Sequence, residues 1–360
     1  MRFIFFSKSM WNEIPRIRHQ LAYMFIQFGH EVIFFEKPNI FPFSSEIINF
    51  SDVCSSIKIR RSQQLLHHQL RTYSIFSNIN SIYEQISIRG KLIDDDPRTD
   101  DVIVNFNYDY YFLRKLFPNN KIITIINDDF VQQAKFRSGK HVENALEITC
   151  RISNHVLAVS TPLIEQINKY CSPHLFLPWS DKLYSSPVNV NVNDRNCILI
   201  WASFDKDFDL NILNKLSLKK NDFEFHLVGP TTNDFFDELK KLQLIRSNIK
   251  YFSPRGLIEL DMNRYFCSLL PYIESSRGVK SVTACNKTFR LLSYGLPLIT
   301  SGMPNYYKAD AIFNCSSYGE VLEAINKCKF EFESIQQFIP VIVNSNQALN
   351  RYEEFMQILQ

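Results

Sequence analysis

The alternation of short apolar runs with longer amphipathic ones constrains this chain more than any other feature. Residues 3–6 (Phe3-Ile4-Phe5-Phe6) form one such run, residues 16–28 carry helical spacing up to Gly29, and residues 31–35 are apolar again. A strand, a helix and a second strand in that order make a βαβ unit, and its repetition predicts an α/β fold built on mostly parallel sheets. Further strands are expected at 101–105, 121–126 and 155–159. The last leads into a helix opened by Ser160-Thr161-Pro162, a capping hydroxyl and a proline in the first turn. A second series is expected at 197–201, 224–228, 249–252, 265–270 and 298–300. Residues 347–359 close the chain with helix spacing, Leu349, Tyr352, Phe355, Met356 and Leu359 falling on one side.

Between the two series, residues 183–196 are polar and lack core periodicity, so they read as a linker. The expected organisation is a first domain over 1–182, a linker over 183–196, a second domain over 197–338 and a C-terminal crossover helix over 339–360. With 360 residues, each half is large enough to bury its own core.

Composition excludes several classes. Forty basic against 37 acidic residues leave a net charge of +3, which does not mark a nucleic-acid binder. The eight cysteines include no C-x-x-C pair and sit mostly in apolar runs, as expected of free thiols in a reducing cytosol rather than of a disulfide framework or zinc site. No apolar run reaches the length of a membrane span, so the chain is expected to be cytoplasmic. Ser7-Lys8-Ser9-Met10-Trp11 stands after the first strand where a dinucleotide-binding oxidoreductase would carry G-x-G-x-x-G.

The chemistry concentrates in two places. Residues 269–300 read as strand, loop, a helix with Lys287 at its start, and a strand entered through Gly295-Leu296-Pro297. A lysine beside a helix N-terminus, just past a strand, suits a nucleotide diphosphate. Asp128 and Asp129 follow the strand at 121–126, where a carboxylate can serve as a general base or simply cap the next helix. Ser203 follows the strand at 197–201 and can approach the nucleotide phosphates. Glu274 lies in the loop after the strand, either close to a bound nucleotide or as a plain loop carboxylate, and Arg277 and Lys280 in the same loop are positive and could pair with a ligand carboxylate. Asp205-Lys206-Asp207 has the form of a metal-binding D-x-D but reads as a solvated turn, and Asp94-Asp95-Asp96 with Asp100-Asp101 read as loop charges around Pro97. Residues 41–76 interleave Lys58, Arg60, Arg61, His67, His68 and Arg71 with apolar and aromatic side chains, a pattern that fits either an anionic membrane surface or a solvated helix face.

These residues carry a family resemblance. Arg16-Ile17-Arg18-His19-Gln20-Leu21-Ala22, Phe28-Gly29-His30-Glu31-Val32, His155-Val156-Leu157-Ala158-Val159-Ser160-Thr161-Pro162-Leu163 with Leu177-Pro178, and the 269–300 segment together resemble the GT-B class of nucleotide-sugar glycosyltransferases. Within it, the span from Pro271-Tyr272 to Lys287 and the Gly295-Leu296-Pro297 entry are most similar to the β-glucuronosyltransferases of xanthan assembly.

The resemblance implies two Rossmann-like domains facing across a cleft, with the terminal helix packing back on the N-terminal domain. It implies transfer of a sugar, UDP-linked, to a glycan or lipid-linked oligosaccharide acceptor for surface polysaccharide, at or near the cytoplasmic face of a membrane. Asp128 falls at the position of the base, and Tyr272, Asn286, Lys287 and Arg290 fall at the nucleotide-binding positions. No cofactor and no metal are expected. Two positions depart from the pattern: Asn286 replaces a methionine and Arg290 a glutamine. Retaining members of the wider class have a glutamate at position 290 that accepts from the ribose hydroxyls, and an arginine cannot accept. Inversion is therefore expected, with a retaining enzyme or a catalytically silent scaffold as the alternatives.

Overall fold

A computed structural model describes residues 1–13, 16–41, 57–67, 70, 71, 73–93, 95, 98–134, 139–180, 182–184, 195–276 and 278–360. The chain separates into two compact units, Met1–Leu177 with Tyr352–Gln360, and Pro178–Arg351. Most of the expected linker, residues 185–194, lies outside the described residues.

The first unit runs β1 (Arg2–Phe6), α1 (Ile17–Gln27), β2 (Glu31–Ile40), β3 (Ile57–Gln64), α2 (Ser74–Ile93), β4 (Val102–Asn105), α3 (Leu113–Leu116), β5 (Lys121–Ile126), α4 (Phe130–Gln133), α5 (Gly139–Ile152), β6 (His155–Ala158), α6 (Thr161–Ile167) and β7 (His174–Leu175). Its seven strands are parallel, in the order β3-β2-β1-β4-β5-β6-β7. Every residue of β1 is buried. That is why the first strand reads as a continuous apolar run: a central parallel strand is covered on both faces.

The second unit runs β8 (Cys197–Trp201), α7 (Leu210–Lys219), β9 (Glu224–Val228), α8 (Asn233–Ile245), β10 (Ile249–Phe252), β11 (Tyr265–Pro271), α9 (Thr288–Ser293), β12 (Leu298–Ser301), β13 (Ile312–Cys315), α10 (Tyr318–Phe330), α11 (Phe332–Gln336) and α12 (Ile339–Ser345). Its six parallel strands have the order β10-β9-β8-β11-β12-β13. The last helix, α13 (Ala348–Leu359), returns to the first unit from Tyr352 onward. There Phe355 packs edge-on against Phe25 (5.0 Å between ring centroids) and Phe3 (6.2 Å), and the Tyr352 hydroxyl meets His30 Nε2 at 2.8 Å.

Within residues 41–76, where a helix face is expected, residues 57–64 form a strand. Among their described residues the main element is β3, an edge strand parallel to β2, and its charges are engaged within the unit. The Arg61 guanidinium donates to Glu36 (Nε to Oε1, 2.7 Å), Arg60 forms a fork with Asp95 (2.8 and 2.7 Å), and Lys58 lies 3.6 Å from the same carboxylate. His68 lies outside the described residues. Asp95 and Asp101 are likewise not loop charges, since both are buried and Asp101 accepts two hydrogen bonds from Arg2 (2.8 and 2.6 Å). Asp94, Asp96 and Pro97 are outside the described residues.

Arg71 is the centre of a buried ionic cluster. It donates to Asp109 at 2.8 Å and to Glu84 of α2, Lys8 reaches the other Asp109 oxygen at 2.6 Å, and the Tyr110 hydroxyl donates to Glu84. Burial works against the Asp109 charge, but Arg71 and Lys8 outweigh it and hold the carboxyl well below the usual carboxylate range. Two cations and two carboxylates balance, so the cluster fixes α2 and the loops after β1 and β4 without an unpaired charge.

Candidate functional site

In both parallel sheets the strand order reverses beside the first strand, between β1 and β4 and between β8 and β11. Ligands of open α/β sheets bind outside the carboxyl ends of the strands at such a switch point. The sequence-predicted residues fall around these two edges, one group in each unit.

In the second unit, β8 ends at Trp201 and is followed by Ala202 and the exposed Ser203, while β11 ends at Pro271 and is followed by Tyr272. Two glycines set these turns. A Cβ on Gly229 (φ +150°) would lie 1.8 Å from the Ala202 carbonyl oxygen, and one on Gly302 (φ +77°) would lie 1.9 Å from that of Tyr272. Each strand end can therefore approach its neighbour only because no side chain intervenes. Gly302→Ala is expected to destabilise the second unit by more than about 1 kcal/mol, read as a lower denaturant midpoint with the circular dichroism of the native state retained.

Lys287 stands at the N-cap of α9 and donates from Nζ to the Tyr272 hydroxyl at 3.2 Å. Burial opposes its charge, but Tyr272, Cys285 and Asp205 outweigh that and leave its pKa above the ordinary lysine value, so it is a cation at neutral pH. The helix is only six residues long, so the lysine rather than a helix dipole supplies most of the positive field. Its position is fixed from below: Thr288 Oγ1 accepts from the Cys285 amide (3.1 Å) and lies 2.5 Å from the buried Tyr306 hydroxyl. Lys287, Arg290 and Tyr294 share the half-buried face of α9, while Phe289, Leu291 and Leu292 are buried. Asn286 precedes them, half-buried.

Asp205 accepts from the Asp207 amide (2.9 Å), and Asp207 accepts from Ser276 Oγ and, through its carbonyl, from the Ile273 amide (2.9 Å). These carboxylates brace the loop that carries exposed Glu274. Arg277 lies outside the described residues. Among the described residues, one cluster has the composition of a metal site, Cys197, Glu224 and His226. It lies at the amino ends of β8 and β9, where Glu224 already meets His226 Nε2 (2.8 Å) and Arg264 (3.3 Å).

In the first unit, Asp128 and Asp129 follow β5 and differ in role. Asp129 is buried and caps α4, its Oδ1 accepting from the Gln132 amide and from Gln166 Nε2, both at 3.0 Å. Asp128 is half-buried, and its Oδ1 accepts from the Asp129 amide (3.2 Å) and from Gln133. Burial raises its pKa above the ordinary aspartate value; the Asp129 amide, Arg18, Gln133 and Arg16 reduce the rise without cancelling it.

Arg18, in the first turn of α1, was not singled out by the sequence. Its buried guanidinium lies over the Phe106 ring (5.9 Å) and donates once, to Ser7 Oγ at 3.3 Å, while Nε has no partner. Burial, then the neighbouring Arg16, push its pKa down to about 10, and Glu13 and Asp128 partly oppose this.

Solved structures resemble the whole chain. HepE of Anabaena in complex with UDP matches with a TM-score of 0.69 and 11% identity, covering 100% of this chain and 99% of that one. The trehalose-6-phosphate structure from E. coli bound with UDP-2-fluoro glucose matches at 0.66 and 12%, covering 99% and 98%. WaaG, a glycosyltransferase involved in lipopolysaccharide biosynthesis, matches at 0.60 and 12%, covering 96% and 95%. The fold is GT-B. No family model and no curated protein matches the chain.

The GT-B architecture thus carries a half-buried lysine on the carboxyl edge of its second sheet and a carboxylate with a raised pKa on that of its first. Sequence reasoning missed Gly302, Thr288 and Tyr306, which position the lysine and its tyrosine, and Gly229, which lets the end of β8 approach the end of β9. Their only sequence signal is a glycine directly after a strand in Val228-Gly229-Pro230 and Ser301-Gly302-Met303.

Proposed function

We propose that this chain is a glycosyltransferase that moves a sugar from a nucleotide diphosphate, UDP-linked, to a hydroxyl of a glycan or lipid-linked oligosaccharide in the cytoplasm. The second unit binds the donor and the first supplies the base and the acceptor site. The observation that carries this reading is the pairing of Lys287 with Tyr272 at the switch point of the second sheet, with both strand ends drawn together through glycine. That the similar solved structures include complexes with UDP and UDP-2-fluoro glucose supports it.

The acceptor oxygen attacks the anomeric carbon from the face opposite the leaving group, the carbon–oxygen bond to the diphosphate breaks, and UDP departs with the bonding pair. The acceptor proton passes to Asp128, whose raised pKa makes it a stronger base than an ordinary aspartate. Lys287 meets the charge developing on the diphosphate, the place a metal takes in other transferases. Asp205 and Asp207, engaged with loop backbone and with Ser276, support a metal-independent reading. Arg290, beside Lys287, donates only, which supports inversion over retention. The more particular likeness to the xanthan β-glucuronosyltransferases, and a uronic acid donor, rest on the 271–297 segment alone.

A thermal-shift screen of nucleoside diphosphates and their sugars tests the donor. UDP at 100 times its dissociation constant is expected to add about 2.7 kcal/mol to stability. Absence of a shift with any nucleoside diphosphate would overturn the reading, and the anomeric configuration of the product decides inversion.

A further inference from the structure

Lys8, Arg71 and Arg18 lie around the ends of β1 and β4, and two of these cations have acids of their own. Lys8 pairs with Asp109, and Arg71 with Asp109 and Glu84. Arg18 makes no ion pair among the described residues. Its side chain is only 8% exposed, its one hydrogen bond goes to Ser7 Oγ at 3.3 Å, and its Nε has no partner.

The fold decides where this guanidinium sits. Ser7 directly follows β1, Phe106 directly follows β4, and Arg18 donates to the first while lying over the ring of the second. Those two strand ends flank the switch point of the first sheet, where open α/β sheets take their ligands. Arg18 reaches it from the first turn of α1, an eleven-residue helix with no acidic side chain in that turn. The helix end therefore adds positive potential rather than a counter-charge.

Taking a cation out of water is compensated by an acid or by a full set of acceptors. One long hydrogen bond to a hydroxyl supplies neither. Asp128 acts on Arg18 only through space, and burial favours its protonated form. A buried donor left in this state calls for a partner from outside the chain. The same sheet edge holds an orphan of the opposite kind, since Asn127, between β5 and Asp128, has a buried Oδ1 with no donor.

We propose that Arg18 binds an oxyanion of the sugar acceptor, a carboxylate or a phosphate, at the switch point of the first sheet, with Asn127 accepting from an acceptor hydroxyl. The parallel N–H groups of a guanidinium match either oxyanion. A neutral glycan leaves the buried cation bare, so the site selects anionic acceptors. Arg18 also holds the Asp128 pKa down, and an oxyanion seated on it removes that effect, leaving a stronger base when the acceptor is in place. The inference rests on the reading of the first unit as the acceptor's, and the test separates the two.

Calorimetry on the full chain compares glucose, glucuronate and glucose 1-phosphate, with UDP in excess so that the sugar phosphate does not report the donor site, and again without UDP. The wild type is expected to bind one of the two anions at least about tenfold more tightly than glucose, and the anion preferred tells carboxylate from phosphate. Arg18→Met and Arg18→Gln are expected to bring all three probes to the affinity of glucose. Removing an unpaired buried charge is expected to keep their thermal midpoints at or above that of the wild type, and either folded variant decides the point. Equal binding of the three probes by the wild type would overturn the proposal, as would an anion preference that survives in a folded variant. UDP affinity is expected to match wild type in both variants, and a fall would overturn the proposal by assigning Arg18 to the donor. Wild-type protein that binds the anions but not UDP would keep the oxyanion site and overturn the donor reading alone.

Discussion

Lys287→Ala is expected to lower kcat/KM for sugar transfer by about 10²- to 10³-fold, corresponding to about 3 kcal/mol, the loss typical of one preorganised group facing developing charge. The size of the effect follows from where the ammonium sits. It is half-buried and held by the Tyr272 hydroxyl at 3.2 Å, so in the proposed reaction it would meet the diphosphate without reorganising. UDP affinity is expected to fall as well, because the diphosphate is already charged before transfer. Lys287→Arg is not expected to restore activity, since a planar guanidinium fork does not reproduce a point charge beside a phenol. Steady-state kinetics and calorimetric titration with UDP read both parameters. Unchanged UDP affinity in Lys287→Ala, with the fold intact by circular dichroism, would remove the lysine from the donor site.

Asp128→Asn is expected to lower kcat by about 10²- to 10⁴-fold, the range of a positioned base, and to leave UDP affinity unchanged because the residue belongs to the other unit. The pH dependence carries a sign. The base acts ionised, so the wild-type rate should fall as pH drops through the Asp128 pKa, and burial places that limb above the ordinary aspartate range. A raised native pKa also means that the protonated form is favoured in the fold, a contribution present at low pH and lost as pH rises through that pKa. Asp128→Asn is therefore expected to keep or raise the thermal midpoint at neutral pH while losing turnover. Asp129→Asn is a useful contrast: asparagine caps a helix as well as aspartate, so its turnover should stay near wild type. Loss of activity in Asp129→Asn with Asp128→Asn fully active would exchange the two roles.

Much of the fold was legible because central parallel strands are apolar on both faces. The expected bounds at 121–126, 197–201, 224–228 and 249–252 coincide with β5, β8, β9 and β10. Three of the four edge strands were missed, all but β10: β3 carries Lys58, Arg60 and Arg61, and β7 and β13 are two and four residues long. An edge strand whose charges pair with neighbours has no apolar run to announce it. The helix α2 was missed because its isoleucines face outward, so its periodicity does not point to a core.

The candidate site shows the same division. Lys287 and Asp128 could be named because each directly follows a recognisable strand or opens a recognisable helix. Arg18 could not, since a basic residue in the first turn of a helix gives no sign that its guanidinium is buried over the Phe106 ring. Gly229 and Gly302 were equally silent, because what requires them is the backbone of Ala202 and of Tyr272, 27 and 30 positions away in the sequence.

The sequence by itself determined two parallel α/β units, the terminal helix, and the lysine and aspartate at strand ends, because these depend on periodicity and on order along the chain. Tertiary structure alone decided that Asp129 caps while Asp128 stays open, that the charges of 58–71 are neutralised inside the first unit, and that α2 turns its apolar face outward. Each of these depends on which distant groups meet, Asp129 with Gln166, Arg71 with Asp109, Glu84 with Tyr110, and such meetings are set by the fold rather than by spacing along the chain.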